Sequence, residues 1–98
     1  MKSLKAKLLF NPDQGDKEWV YRSGFRPTIL LGKEQTSCII TSSDTSKFEK
    51  GKAYLVKIEL FLWDSLKDDV KNEYEQLKEI IIMSGVDIIA KGEILEKL

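Results

Sequence analysis

The sequence contains no histidine, which removes the commonest catalytic base and the commonest metal ligand. It has one cysteine, Cys38, so there is no intrachain disulfide framework and no zinc pattern. Net charge is also missing: 16 Lys+Arg balance 16 Asp+Glu, which argues against a strongly basic coat for nucleic acid. No apolar run approaches the ~18 residues needed to span a bilayer. The longest runs, 60–63 and 80–83, suit buried strands. Residues 1–10 alternate lysine with apolar residues and lack the apolar core of a signal peptide. Neither a Walker A motif nor a GxGxxG is present, so the chain is not expected to bind nucleotide or to be a GTPase by itself. These absences predict a soluble, cytoplasmic domain with no cofactor, no metal and no membrane partner.

What is present is enough for one small core. The 98 residues are 42% hydrophobic and 33% charged, and a chain of this length forms one domain, 1–98. Leu4, Ala6, Leu8 and Phe10 recur at period two with Lys5 and Lys7 between them, a half-buried strand. Pro12 and Gly15 mark a turn over 11–16, followed by a polar connection over 17–24 that carries Trp19 and Tyr21. A second strand is predicted over 25–31, with Pro27 at its beginning or on an edge because proline has no backbone donor. A turn at 32–35 leads to a strand over 36–41, and the pair reads as a hairpin.

After a polar loop over 42–52, residues 53–63 read as the longest strand, with Tyr54, Val56, Ile58, Leu60 and Leu62 on one face. Leu66, Val70, Tyr74 and Leu77 then fall at helical spacing. Asp64 or Ser65 is the expected N-cap, and the acidic doublet Asp68-Asp69 suits the first turn. Trp63 is expected to pack this helix against the strands. Strands over 79–83 and 87–95, with a turn at Gly85, complete the chain. Six period-two strands with one inserted helix favour an antiparallel barrel or sandwich.

Candidate chemistry is sparse. Cys38 lies within an apolar strand with no histidine to activate it, and is read as a small buried hydrophobe. Basic residues gather at Lys2, Lys5 and Lys7, and again at Lys47, Lys50 and Lys52. With Arg22, Arg26, Trp19 and Tyr21 they would make a phosphate-facing patch at one end of a barrel, or else ordinary solvated charge. Acids dominate the stretch 64–79.

The segment Ser23-Gly24-Phe25-Arg26-Pro27 resembles the Gly-Tyr/Phe-Arg-Pro segment in the C-terminal β-barrel of elongation factor Tu and related translational GTPases. Four further segments resemble the same domain in the same order: the opening strand 4–10, the strand 36–41, the region 50–60 and the closing strand 85–94. The resemblance covers nearly the whole chain and implies an all-β fold, a six-stranded antiparallel Greek-key-type barrel, in which the one short helix read above is an insertion that replaces a shorter family loop. It also implies a contact set, because this barrel in the family helps hold the T stem of aminoacyl-tRNA. Carried over position by position, that set comprises Arg26, Thr28, Ser37 and Gly85, with Asp87 standing where the family has arginine; Arg22 of the basic patch is a further candidate contact. The reversed charge at Asp87 and the acidic helix shift the expectation toward a non-catalytic module that engages a protein partner, in a decoy or immunity-type role. The alternative is an RNA-binding accessory domain that contacts a tRNA stem.

Overall fold

Alternation of apolar and charged side chains sets the register of the central strands. The computed structural model describes residues 2–11 and 21–98. In chain order the elements are β1 (Lys2–Phe10), β2 (Tyr21–Arg22), β3 (Thr28–Leu31), β4 (Glu34–Ser37), β5 (Ile39–Thr41), β6 (Lys47–Phe48), β7 (Ala53–Leu60), a 3₁₀ turn (Trp63–Ser65), α1 (Asp68–Glu75), β8 (Glu79–Ser84) and β9 (Asp87–Lys97). Seven strands form one curled antiparallel sheet in the order β4-β3-β8-β9-β1-β7-β5, and β2 pairs with β6 in a separate ribbon. The architecture is all-β with one helix, and the sheet wraps as a half-barrel.

β1 lies between β7 and β9 and behaves as its period predicts. Leu4, Ala6, Leu8 and Phe10 are buried, while Lys5 and Lys7 are exposed. Ile29, Leu31, Ile40, Ile58, Leu60, Ile80 and Ile82 join them inside the sheet. Each such side chain contributes roughly 1.5–3 kcal/mol on burial, and together they drive the curling that removes the inner face from water. Where β9 crosses β1 its Gly92 lies opposite Leu8, at a point where the two backbones approach closely.

The segment 34–41 departs from the single strand expected over 36–41. Its first half pairs with β3, its second half pairs with β7, and Cys38 breaks it between them. The Cys38 amide donates to the Pro27 carbonyl at 3.0 Å, which satisfies the backbone at the break. The two outermost strands of the sheet, β4 and β5, are thus consecutive stretches of one segment. The strand expected over 25–31 is also shorter: β3 starts at Thr28, just after buried Pro27, and Phe25 keeps only an isolated bridge to Ile40.

Two further boundaries need correction. β7 ends at Leu60 instead of running to 63, and the chain turns so that Leu62 is exposed and Trp63 opens the 3₁₀ turn. Leu66 and Lys67 then return to extended backbone, so α1 is capped at Lys67 and not at Asp64 or Ser65. Asp68 and Asp69 do occupy its first turn, and the Val70 amide donates to the Asp69 carboxylate at 3.0 Å. Val70 and Tyr74 are the buried face of the helix, and Trp63 meets Tyr74 edge-on at 5.0 Å between centroids. Trp63 therefore packs the helix as expected. The Tyr74 hydroxyl donates to the Ser3 carbonyl at 3.4 Å, which places α1 at the Lys2 end of β1. The Phe10 end is filled by an aromatic cluster: Phe10 stacks on Phe48 at 5.0 Å, Tyr21 on Phe25 at 4.9 Å, and Phe48 meets Tyr54 edge-on at 5.2 Å.

Candidate functional site

The candidate contact residues have different neighbours in the fold. Thr28 on β3 lies directly opposite Ser37 on β4 and, on its other side, opposite Met83 on β8. Its hydroxyl lies 2.7 Å from the Gln35 side-chain oxygen and 3.2 Å from the Met83 carbonyl, and having one proton it donates to one of them at a time. Two residues beyond Met83 comes the β8–β9 turn, where Ser84 pairs with Asp87 across Gly85-Val86. Gly85 has φ +63° while Val86 keeps a negative φ, the pattern of a II′ hairpin with glycine first. Val86 is 90% exposed at the tip. Asp87 is exposed, and its charge adds to burial in pushing the Tyr21 phenol above its ordinary value.

Arg22 and Arg26 do not join that group. Arg22 faces Lys47 in the β2–β6 ribbon. Arg26 lays its guanidinium over Phe61, 5.6 Å from the ring centre. Of the expected basic patch, Arg22 and Lys47 lie opposite each other in the ribbon near the Phe10 end. Lys52 is tied to Glu49 by a salt bridge that holds the Glu49 carboxyl below its ordinary range. Lys2 lies over Trp63 at the opposite end. Trp19 lies outside the described residues. Cys38 is fully buried, and burial pushes its thiol up to about 12, which leaves no thiolate near neutral pH. Among the described residues no cluster of acids and cysteine could hold a metal ion, and no helix is long and apolar enough to cross a membrane.

A concavity lies elsewhere, on the outer face of β9, β1 and β7. It is a groove of about 470 Å³, within the range of binding clefts. Lys5, Leu55, Lys57 and Leu95 line it, and residues 41–44 form its far wall. Lys5 and Lys57 are directly opposite in the β1–β7 register, so two ammonium groups share one face. Like charges placed so are mutually destabilising. Lys57 is relieved by Glu59 at 3.3 Å, whereas Lys5 makes no salt bridge among the described residues. A β-bulge in the β1–β9 ladder makes Lys5 the partner of Glu96 and Ala6 the partner of Ile94, leaving Leu95 without a ladder partner beside Lys5. Leu55 and Leu95 are each 53% exposed.

The far wall is held by hydroxyls. The Ser42 hydroxyl donates to the Leu55 carbonyl at 2.9 Å, and the Ser42 amide donates to the Ser23 hydroxyl at 2.9 Å. The Asp44 amide in turn donates to the Ser42 hydroxyl at 3.2 Å. These bonds fix the loop where it leaves β5 and hold it against β7. Sequence reasoning named Lys5 and Leu55 but did not join them to Leu95. The one signal was the adjacent pair Ile94-Leu95, which a strand with one buried face cannot bury together.

Comparison with known protein families finds no family whose pattern matches this chain, and no curated protein matches it.

Proposed function

We propose that this chain is a non-catalytic binding module that engages a protein partner through the outer face of β9, β1 and β7. The observation that carries the reading is the groove itself, lined by two half-exposed leucines and by Lys5, which has no ion-pair partner among the described residues. Exposed apolar residues gathered in a concavity and rimmed by charge are the usual composition of a recognition surface. The sealed Cys38 thiol offers no nucleophile, which favours binding over catalysis.

The scaffold in this reading is the translation-factor type of barrel, in a decoy or immunity-type role. Taking residues 34–41 as one strand that pairs with β3 at one end and β7 at the other leaves six strands in the sheet, the count of the barrel that the resemblance implies. A single observation favours the RNA alternative, the juxtaposition of Arg22 and Lys47 on the exposed ribbon.

Parallel capture from native lysate with the wild-type chain and with Leu95→Asp tests the choice. A protein retained by the wild type and lost by the variant supports the partner reading. Recovery of RNA without protein, with tRNA affinity falling at a log–log salt slope of about −0.7 to −0.9 per phosphate contact, would establish the alternative.

A further inference from the structure

We infer that the outer edge of β4 takes an extended segment of a partner protein, which pairs there as a further strand of the sheet. This surface is separate from the groove, and the inference goes beyond the reading given for it. β4 is the last strand of its sheet and has β3 as its one ladder neighbour among the described residues. The direction of each backbone group in the segment 34–41 follows from its bonds. The amides of Cys38 and Ile40 donate to the carbonyls of Pro27 and Phe25 at 3.0 and 3.1 Å. Backbone groups alternate in direction along a strand, so the even-numbered residues face β3 and the chain that leads into it. The odd-numbered residues face the other side, where Ile39 and Thr41 pair with Glu59 and Lys57 of β7.

Continued past Ile39, that register sets Ser37 opposite residue 61 and Gln35 opposite residue 63. β7 supplies neither, because it ends at Leu60. The departing chain bonds to itself: the Ser65 amide donates to the Leu62 carbonyl at 2.9 Å, and the Leu66 amide to the Trp63 carbonyl at 3.1 Å. Trp63 turns its ring to Tyr74 on α1. The N–H and C=O groups of Gln35 and Ser37 therefore face a line that β7 has left. Such an edge is a template for strand addition, which sheets guard against with proline, lysine or a bulge. β4 reads Glu-Gln-Thr-Ser and runs in unbroken register with β3, so it has none of the three. A helix satisfies its own backbone and would leave these groups unpaired, whereas an extended segment pairs with them directly.

Side-chain alternation sets the chemistry of the segment. Thr36 is buried, while Gln35 is exposed and Ser37 half-buried. The incoming residue opposite Thr36 thus points to the core and is small and aliphatic, and its two neighbours point to solvent and are polar. Arg26 lies over Phe61, the residue that the register sets opposite Ser37, and makes no salt bridge among the described residues. A carboxylate suits that end of the segment. β4 is four residues long, so the added strand is equally short.

The test is a selection of random peptides displayed on phage against the full chain, followed by titration of the synthesised peptides into isotope-labelled chain. Amide shifts should centre on residues 34–37. The Gln35 and Ser37 amides should exchange with solvent deuterium at least about tenfold more slowly in the complex. An N-methyl scan of the peptide leaves the chain itself untouched. Methyl groups on alternate amides, those that face β4, should weaken binding at least about tenfold, and those between should be tolerated within about threefold. Gln35→Pro, which removes one outward donor at an edge, should weaken binding likewise, and Leu95→Asp in the groove should not. Circular dichroism of each free variant verifies that it is folded. Peptides that bind as helices, that shift the groove residues instead, or that show no alternation in the methyl scan overturn the proposal. Failure to select any peptide overturns it too, as does pairing of two copies of this chain through the same edge.

Discussion

The ammonium of Lys97, near the end of β9, donates to the carbonyl of Tyr74 at 3.0 Å and lies 5.1 Å from the centre of its ring. The same ammonium donates to the Glu75 carbonyl at 2.9 Å. α1 has no basic residue in its own last turn, so a strand distant in sequence supplies the cation that its C-terminus favours. Lys97→Met should therefore cost about 1 kcal/mol and lower helical content, while Lys97→Arg should retain most of the stability. Urea unfolding followed by far-ultraviolet circular dichroism measures both. Equal stability of Lys97→Met and the wild type would show that the cap is energetically idle.

Gly92 marks a close approach of β9 to β1. A Cβ there would be driven into the Lys7 carbonyl oxygen and to 2.7 Å from a Leu8 methyl carbon. The first obstacle is backbone in the central strand, which cannot rotate away. Gly92→Ala should lose about 3 kcal/mol, the upper end of overpacking costs. Gly85→Ala meets no atom within 4 Å and is strained only by its φ of +63°, so a cost of about 1–2 kcal/mol is expected. The order of the two denaturation midpoints is the measurement, and a reversed order would contradict the close approach.

The sequence made the central parts of this fold legible because their physics is periodic. The alternation of β1, the existence of α1 and the turn at Gly85 follow from spacing alone. β2 and β6 do not, since two-residue strands are too short to carry a period, even though Phe48 is fully buried. The break at Cys38 is a change of pairing partner, which leaves no mark on alternation. The candidate site divides in the same way. Thr28 and Ser37 do meet across β3 and β4, but Arg22 and Arg26 point to separate neighbours. The groove depends on a bulge between Lys5 and Ala6, an event of register that only the folded ladder exposes.

Trp63 holds α1 to the sheet. Its ring meets Tyr74 edge-on, and the ammonium groups of Lys2 and Lys71 lie 5.4 and 5.6 Å from its centre. One ring thus joins β1 to α1 through two cation–π contacts. Trp63→Ala should cost about 2 kcal/mol, below the 3–5 kcal/mol of a fully buried tryptophan because this one is only half-buried. Trp63→Phe should recover about half. Hydrogen exchange of the α1 amides reads the local effect, and protection unchanged in Trp63→Ala would refute the anchoring role.

Cys38 makes the stability of the fold depend on alkaline pH. Burial raises its thiol from an ordinary 9.0 to about 12, so the folded chain keeps a proton that the unfolded chain releases. The unfolded state therefore binds fewer protons above pH 9, and stability falls as pH rises. The contribution is complete below pH 9 and drains away toward pH 12. The expected loss attributable to this thiol is about 1.4 kcal/mol between pH 8 and pH 10. Tyr21 and Tyr74, raised above 10.0 chiefly by burial, add losses of the same sign only at higher pH. Cys38→Ala removes the thiol but keeps both tyrosines, so the difference between the two pH profiles isolates Cys38. The wild type should lose stability relative to Cys38→Ala across this window, and its thiol should react with a disulfide reagent only as fast as the chain opens. Parallel profiles, or rapid labelling of the folded chain at pH 8, would place Cys38 outside the sealed core.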